Sequence, residues 1–212
     1  MYVPDHFRPT DDEIRELLTR VGAVELVTST EGGLLATMLP MVYDAPGSRD
    51  GIGAFGALLG HVARKNPQWQ TPTLGASLAI LRGPDAYISP SWYAIKREHG
   101  RVVPTWNYVV VHAHGRLLIH DDAAWLEENV RRLSIKHEAE RAEPWSVDDA
   151  PASYIAGQLR AIVGVELLID RLEAKTKLSQ NRSSGDIDGV IDGLEADSEQ
   201  AVSAAMRRRR GS

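Results

Sequence analysis

Apolar residues recur at helical spacing in four segments of the chain. The segments are residues 10–21, 121–137, 153–162 and 187–194. Thr10 and Glu13 match a capping box at the start of the first segment, and Gly22 follows its last apolar residue. We therefore predict four amphipathic helices.

Runs rich in β-branched and apolar residues predict six or seven strands. Residues 23–42 form a predicted hairpin around Gly32-Gly33, with Pro40 at an edge or a bulge. A second hairpin is predicted over residues 105–120, around Gly115. The other candidates are residues 54–62, two strands separated by Gly83-Pro84, and residues 163–175.

Strands and helices do not alternate along the chain, which argues against a doubly wound sheet. We predict a mostly β fold with peripheral helices, built on a single antiparallel barrel. Residues 1–195 are expected to form one domain, and residues 196–212 a charged C-terminal tail. The tail includes Arg207–Arg210, which we expect to be disordered and solvated.

Composition excludes several classes of protein. The chain has 212 residues and no cysteine, which excludes disulfides, thiolate metal sites and a cysteine nucleophile. No apolar run approaches the roughly 20 residues that span a bilayer, and the first residues lack the layout of a signal peptide. We expect a cytoplasmic protein.

The net charge of the chain argues against one class of partner. The net charge is −5, and without the four arginines at 207–210 it is −9, since 20 cations then face 29 acidic residues. Proteins that hold duplex DNA ordinarily present a basic face. Because this chain also has no helix-turn-helix pattern, we do not expect it to bind DNA directly.

The segment from Gly60 to Trp69 combines a histidine, two cations, an amide pair and an aromatic ring within ten residues. A guanidinium beside an ammonium group, as in Arg64-Lys65, can hold a phosphate, and Trp69 or His61 can stack on a flat ring. The alternative is a basic loop that Trp69 anchors to the core. The spacing alone does not separate the two interpretations.

Two further segments carry polar clusters. His112 and His114 share one face of the predicted strand after Thr105, together with Trp106 and Tyr108. They can ligate a metal only with a third ligand from elsewhere, so we favour one buried and one solvent-facing histidine. The second cluster, residues 177–182, contains Lys177, Gln180 and Arg182. The alternative interpretation of this segment is a solvated turn.

Taken together, five motifs resemble one known family. They are MYVPDHF, LLGHVARKNPQW, GPDAYISPSWY, VPTWNYVVVH and KLSQNR, in this order. The chain resembles the FMN-binding negative transcriptional regulators (PaiB-like proteins) over about residues 1–195. The resemblance implies the FMN-binding split-barrel fold, a six-stranded antiparallel barrel that forms a homodimer with its cofactor at the subunit interface.

The resemblance also implies the residues that bind FMN. Arg64 and Lys65 correspond to the pair that grips the phosphate in split-barrel oxidases, and Thr37 to a hydrogen-bond partner of the flavin. The complete set of expected cofactor-binding residues is Thr37, His61, Arg64, Lys65, Asn66, Trp106, Asn107, Lys177 and Gln180. Relatives often have a histidine where this chain has Met38, so the chain lacks one polar group there.

A haem enzyme is the alternative, because the haem-dependent piperazate synthases resemble the same family over its full length. They form a nitrogen–nitrogen bond in an N-hydroxylated ornithine. By that resemblance His61 would be the axial ligand of haem iron, and Lys177 would lie in the active site. Since PTWNYVVVH looks more like the regulators, we favour FMN. A cofactor-free structural module is the third hypothesis.

Overall fold

The computed structural model describes residues 1–211, which contain six strands and six α-helices. The strands are β1 (Ala23–Thr30), β2 (Gly33–Asp44), β3 (Ala57–Ala63), β4 (Ser77–Ile88), β5 (Thr105–His120) and β6 (Ile162–Lys177). The helices are α1 (Asp11–Thr19), α2 (Lys96–His99), α3 (Ala123–Glu138), α4 (Ala152–Leu159), α5 (Ser184–Ala196) and α6 (Gln200–Arg210). Four short 3₁₀ helices connect them, at Asp5–Phe7, Pro67–Trp69, Pro90–Trp92 and Val147–Asp149.

The six strands form a closed barrel in the order β1-β2-β3-β6-β5-β4. β1 pairs antiparallel with β2 and with β4, and β3 pairs antiparallel with β2 and with β6. This confirms the prediction of a six-stranded antiparallel barrel with peripheral helices.

The described residues divide into two compact units. The barrel unit, Arg15–Leu81 and His112–Leu172, contains β1–β3, part of each long strand β4–β6, and the helices α3 and α4. The terminal unit, Met1–Ile14, Arg82–Val111 and residues 173–211, contains the remaining parts of those three strands with α2, α5 and α6. The chain therefore passes from one unit to the other within α1 and along β4, β5 and β6.

Pro40 lies at the point where β2 stops pairing with β1 and begins to pair with β3. Ala23 of β1 pairs with Pro40, and the following residue, Met41, pairs with Gly60 of β3. Proline lacks the backbone N–H that a ladder on both sides would need. The hairpin around Gly32-Gly33 is confirmed, since Thr30 pairs with Gly33.

The predicted turns at Gly115 and at Gly83-Pro84 are wrong. The glycines there lie within continuous strands and allow a neighbouring strand to pack closely. β5 runs unbroken through Gly115, where a Cβ would lie 1.8 Å from the carbonyl oxygen of Leu168 on β6. β4 likewise continues through Gly83-Pro84. A Cβ on Gly83 would lie 2.8 Å from the Cβ atom of Val109 on β5. Only glycine lets the neighbouring strands approach so closely.

Helix α3 covers one outer face of the barrel. Leu133 packs on a buried cluster formed by Val42, Ala57, Leu59 and Leu168, and Trp125 packs against the same cluster. Asp122 caps the helix by accepting a hydrogen bond from the Trp125 amide at 2.9 Å. The capping box of α1 is also confirmed, with Thr10 and Glu13 bonded reciprocally at 2.6 and 3.2 Å.

The expectation of a disordered C-terminal tail is wrong. Residues Gln200–Arg210 form α6, which buries Val202 and Met206. Three of its arginines are paired: Arg207 with Glu195, Arg209 with Glu13 and Arg210 with Asp188. Apolar burial and these ion pairs order a segment whose local sequence shows mainly charge.

No helix within residues 1–211 combines the length and the apolar character needed to cross a membrane.

Close packing of α5 predicts an effect of Gly193→Ala. A Cβ on Gly193 would lie 2.3 Å from the indole ring of Trp92, so the ring must move or the helix must shift. We expect the free energy of unfolding to fall by about 1–3 kcal/mol in urea titrations. Gly157→Ala in α4 is the control, because its nearest neighbour, an Arg160 guanidinium nitrogen, is 3.8 Å away. Equal stability of the two variants would contradict the prediction.

Candidate functional site

The turn after β3 is held rigidly by its own hydrogen bonds. Asn66 accepts a bond from the Gln68 amide at 2.9 Å and thereby caps the short helix Pro67–Trp69. The Trp69 indole donates to the Arg64 carbonyl at 2.9 Å. Buried Gln68 donates to the Leu26 carbonyl at 3.0 Å. The segment singled out in the sequence is thus an ordered turn in the barrel unit.

Arg64 is bound to other parts of the barrel unit. Its guanidinium donates to both carboxylate oxygens of Asp121, at 2.9 and 2.5 Å. It also donates to the carbonyls of Arg160 and Ile162, at 2.8 and 3.0 Å. These bonds with Arg64 lower the pKa of Asp121, so the carboxylate stays ionised. A phosphate would have to displace Asp121 to receive the two-pronged contact that Arg64 was expected to offer.

Unlike Arg64, Lys65 and Asn66 retain N–H groups that can bind a ligand. Lys65 is exposed. Asn66 donates from Nδ2 to the Thr37 hydroxyl oxygen at 2.9 Å, which joins two of the expected site residues. One amide N–H of Asn66 and the ammonium of Lys65 therefore remain for a ligand.

His61 lies beside this turn, on the outer face of β3. Alternation places it on the same side as Leu59, which packs under α3. Its partner on β6 is Gly164, where a Cβ would lie 2.3 Å from the Trp125 ring. Within residues 1–211 the buried Nδ1 of His61 has no hydrogen-bond partner, and burial lowers the pKa of the ring. His61 is therefore a neutral imidazole with an unused nitrogen.

The outer face of β2 is apolar and exposed next to His61. Leu34 and Met38 are 74% and 71% exposed, and both lie on the even-numbered side of β2 together with Pro40. A Cβ on Gly60 would lie 2.7 Å from the Pro40 carbonyl, so β2 and β3 are close at this point. The turn, His61 and the β2 face give the barrel unit a cation, a neutral imidazole and an apolar surface near one another.

A buried charged group that the sequence analysis missed lies two residues from Gly164. Glu166 is 1% exposed and forms an ion pair with Arg49. Its other carboxylate oxygen is 2.7 Å from Nε2 of His120. His120 stacks on Trp125, with ring centroids 4.1 Å apart. Burial, with the nearby charge of Arg49, lowers the pKa of His120, so the neutral ring donates its Nε2 proton to Glu166. A carboxylate within the apolar run VGVELLID was the available signal.

The other expected site residues lie in the terminal unit. The Lys177 ammonium donates to the Thr105 hydroxyl and, at 2.8 Å, to the Trp106 carbonyl. Trp106 is 48% exposed, and its indole donates to Asp85 at 2.8 Å. Lys177 and Trp106 are therefore accessible side chains, and hydrogen bonds to residues at the ends of β4 and β5 hold them in place.

Asn107 and Gln180 are used within the fold. Asn107 is fully buried and exchanges hydrogen bonds with Ser179 at 3.0 and 3.2 Å. Gln180 accepts from the Leu178 amide and donates to the Thr176 carbonyl. These bonds shape the turn after β6, where Ser179 has a positive φ of 65°. Both amides hold the turn in place, and Asn107 is buried away from solvent, whereas half-buried Gln180 keeps one amide N–H.

The two histidines of β5 lie side by side in the barrel unit. The rings of His112 and His114 have centroids 6.3 Å apart, edge to face. Both side chains are half-buried. The structure thus places the two histidines on one face, as the alternation along the strand predicts, but the expectation that one of them faces solvent is wrong, since both are equally half-buried.

The sequence of the chain matches a known protein family. Residues 1–171 match the family described as "Putative FMN-binding domain". Because the match covers most of the chain, the protein belongs to this family. The prediction of a PaiB-like chain whose family cofactor is FMN is confirmed.

Individual relatives agree with the family assignment. The protein is 34% identical to "Protease synthase and sporulation protein PAI 2" of Bacillus subtilis (strain 168), over 92% of this chain and 89% of the relative. Its fold is similar to that of the FAD and heme binding protein from Mycobacterium smegmatis (TM-score 0.55, 14% identity, 87% of this chain and 80% of that one). The flavocytochrome Anf3 from Azotobacter vinelandii has a TM-score of 0.52 at 16% identity, covering 80% and 68%.

The two half-buried histidines predict a loss of stability in mild acid. The pKa values of His61 and His120 are lowered in the folded state, so between those values and about 6.5 the unfolded chain binds more protons. The free energy of unfolding should therefore fall as the pH drops below about 6.5, by at most about 1.4 kcal/mol per pH unit for each histidine.

Urea titrations from pH 7.5 to 5 measure this slope. The double variant His61→Gln/His120→Gln should have a shallower slope than the wild type, whatever its stability at pH 7.5. Identical slopes in the two proteins would show that these histidines do not couple folding to pH.

Proposed function

We propose that the protein is an FMN-binding homodimer whose cofactor lies against the turn after β3 and the outer face of β2. The observation that carries this proposal is the buried Nδ1 of His61, which has no hydrogen-bond partner within residues 1–211, on the strand that pairs with β2. A neutral imidazole with a free nitrogen can hydrogen-bond a polar edge of a flat ring, while Met38 offers that ring an apolar contact.

Membership of an FMN-binding family supports this proposal, and the residues present fit the cofactor. The exposed ammonium of Lys65 and the remaining N–H of Asn66 are suited to the phosphate and the ribityl chain. Thr37 holds the Asn66 side chain at 2.9 Å and so positions it. When bound, FMN supplies reversible hydride and electron transfer.

Regulation is the proposed consequence of flavin binding. The relative named for protease synthesis and sporulation supports such a role. The net charge of −5 argues that this protein acts through a partner or through metabolism, because a protein that reads DNA directly needs a basic face. The flavin would then report the redox state of the cell to that partner.

Lys65→Gln tests the phosphate contact. We expect the Kd for FMN, measured by flavin fluorescence quenching, to rise about tenfold, because one charge-assisted hydrogen bond is lost. Riboflavin, which has no phosphate, should bind the variant and the wild type equally. Lys96→Gln, which removes an exposed lysine of the terminal unit, is the control with the same change in charge.

A haem complex is the alternative outcome of the same titration. The nitrogen of His61 that is free for a flavin is also chemically competent to bind haem iron. A stoichiometric Soret band in the wild type that is lost in His61→Ala, without FMN binding, would contradict the flavin proposal and favour the haem enzyme.

The exposed apolar face of β2 supports a homodimer. In β1 and β4, Val27 and Leu78 continue this face beside Ala36, and Ile80 lies in register with Met38 across Glu25, the one acidic residue among them. An apolar strand face of this kind is suited to a second copy of the same surface. In the dimer it would also shield a bound flavin from water.

Met38→Glu should convert the dimer to a monomer. A carboxylate at this position, in register with Glu25, would be desolvated in the interface, which opposes association. Light scattering should give twice 23.3 kDa for the wild type and 23.3 kDa for the variant. Ile135→Glu, at a residue of α3 that is 70% exposed, is the matched control. A monomeric wild type at micromolar concentration would exclude the dimer.

A further inference from the structure

Three cations converge at the end of β6 in the terminal unit. Lys175 and Lys177 alternate onto one face of the strand, and Arg182 follows in the next turn. Burial and the charges of Lys175 and Arg182 lower the pKa of Lys177, so the three charges act on one another. These cations lie beyond residues 1–171, the part of the chain that matches the FMN-binding family.

Aromatic rings line this group of cations. The Lys175 ammonium is 5.5 Å from the centroid of the Tyr108 ring, and 5.9 and 5.7 Å from those of Tyr2 and Phe7. Arg182 lies over the Tyr93 ring at 4.6 Å. The rings stabilise the cations through their π faces but neutralise no charge.

No carboxylate in the described part of the chain forms an ion pair with any of the three cations. Of the nearby acids, Glu173 binds the amino group of Met1, whereas Asp85 and Asp186 accept from neutral donors, the Trp106 indole and the Ile95 amide. Three half-buried cations without a direct ion pair are unexpected in a chain with a net charge of −5. An anionic ligand that contacts all three would offset their mutual repulsion.

Donor groups remain to bind that ligand. Lys177 uses two N–H groups on Thr105 and Trp106, which leaves one. Lys175 uses one on the Tyr2 carbonyl, at 3.3 Å, which leaves two. The contacts to Thr105 and Trp106 also hold the Lys177 ammonium in place, so little side-chain entropy is lost when an anion binds.

We propose that Lys175, Lys177 and Arg182 form a binding site for a small oxyanion, the phosphate or carboxylate group of a small-molecule ligand. The site is built within the terminal unit, and Tyr108 forms one wall of it. The proposed ligand is not the flavin, because the flavin contacts proposed above include none of these three cations.

Calorimetric titration of the full chain with inorganic phosphate and with sodium acetate tests the proposal. We expect saturable binding of at least one of the two probes, and the comparison between them distinguishes a phosphate ligand from a carboxylate ligand. In Lys177→Gln the Kd should rise about tenfold or more, whereas Lys177→Arg should retain binding. Lys175→Gln should act in the same direction and covers the case in which Lys177→Gln does not fold. Lys96→Gln should bind like the wild type.

Parallel titrations with FMN and riboflavin separate this site from the flavin site. If the proposal is correct, Lys177→Gln binds FMN as the wild type does, and Lys65→Gln binds the oxyanion as the wild type does. Absence of binding of both probes to the wild type at about 10 mM, above the range of weak millimolar affinity, would overturn the proposal. A selective loss of FMN affinity in Lys177→Gln, with riboflavin unchanged, would also overturn it by assigning the cations to the flavin phosphate.

Discussion

Close contact between β5 and β6 at Gly115 is the constraint on which both sites depend. A side chain there would collide with the Leu168 carbonyl, so the absence of a Cβ lets two 16-residue strands run side by side without a break. Each strand then carries polar residues in both units. His120 and Glu166 lie in the barrel unit, and Trp106 and Lys177 in the terminal unit.

Pairing among charged groups decides which cations remain available to ligands. Arg64 is the more obvious phosphate ligand by residue type, yet Asp121 and two carbonyls occupy its guanidinium. The adjacent Lys65 is exposed. In the same way three of the C-terminal arginines are paired with acidic side chains, whereas within residues 1–211 no ion pair engages Lys175, Lys177 or Arg182. Availability for a ligand therefore follows from tertiary pairing and not from the type of cation.

Burial gives His61 and His120 different roles, although it shifts both in the same direction. His120 satisfies Glu166 within the fold, under the ring of Trp125. His61 retains an unused nitrogen beside an exposed apolar strand. A neutral histidine that is already bonded stabilises the barrel, whereas one with a free nitrogen is suited to a ligand. This distinction assigns His61 to the site and His120 to the scaffold.

Local sequence patterns were sufficient for the elements and the class of fold. The capping pair Thr10–Glu13, the hairpin at Gly32-Gly33 and the amphipathic pattern of α3 depend on neighbours within a few residues, and five ordered motifs identified the family. Only the tertiary structure showed that Gly115 joins two strand segments, because its constraint comes from Leu168 on another strand. It also decided that Arg64 binds Asp121, 57 residues away, that Asn107 is buried, and that α6 is ordered. Contacts between distant residues leave no periodic signal in a single sequence, so these features became visible only in the folded chain.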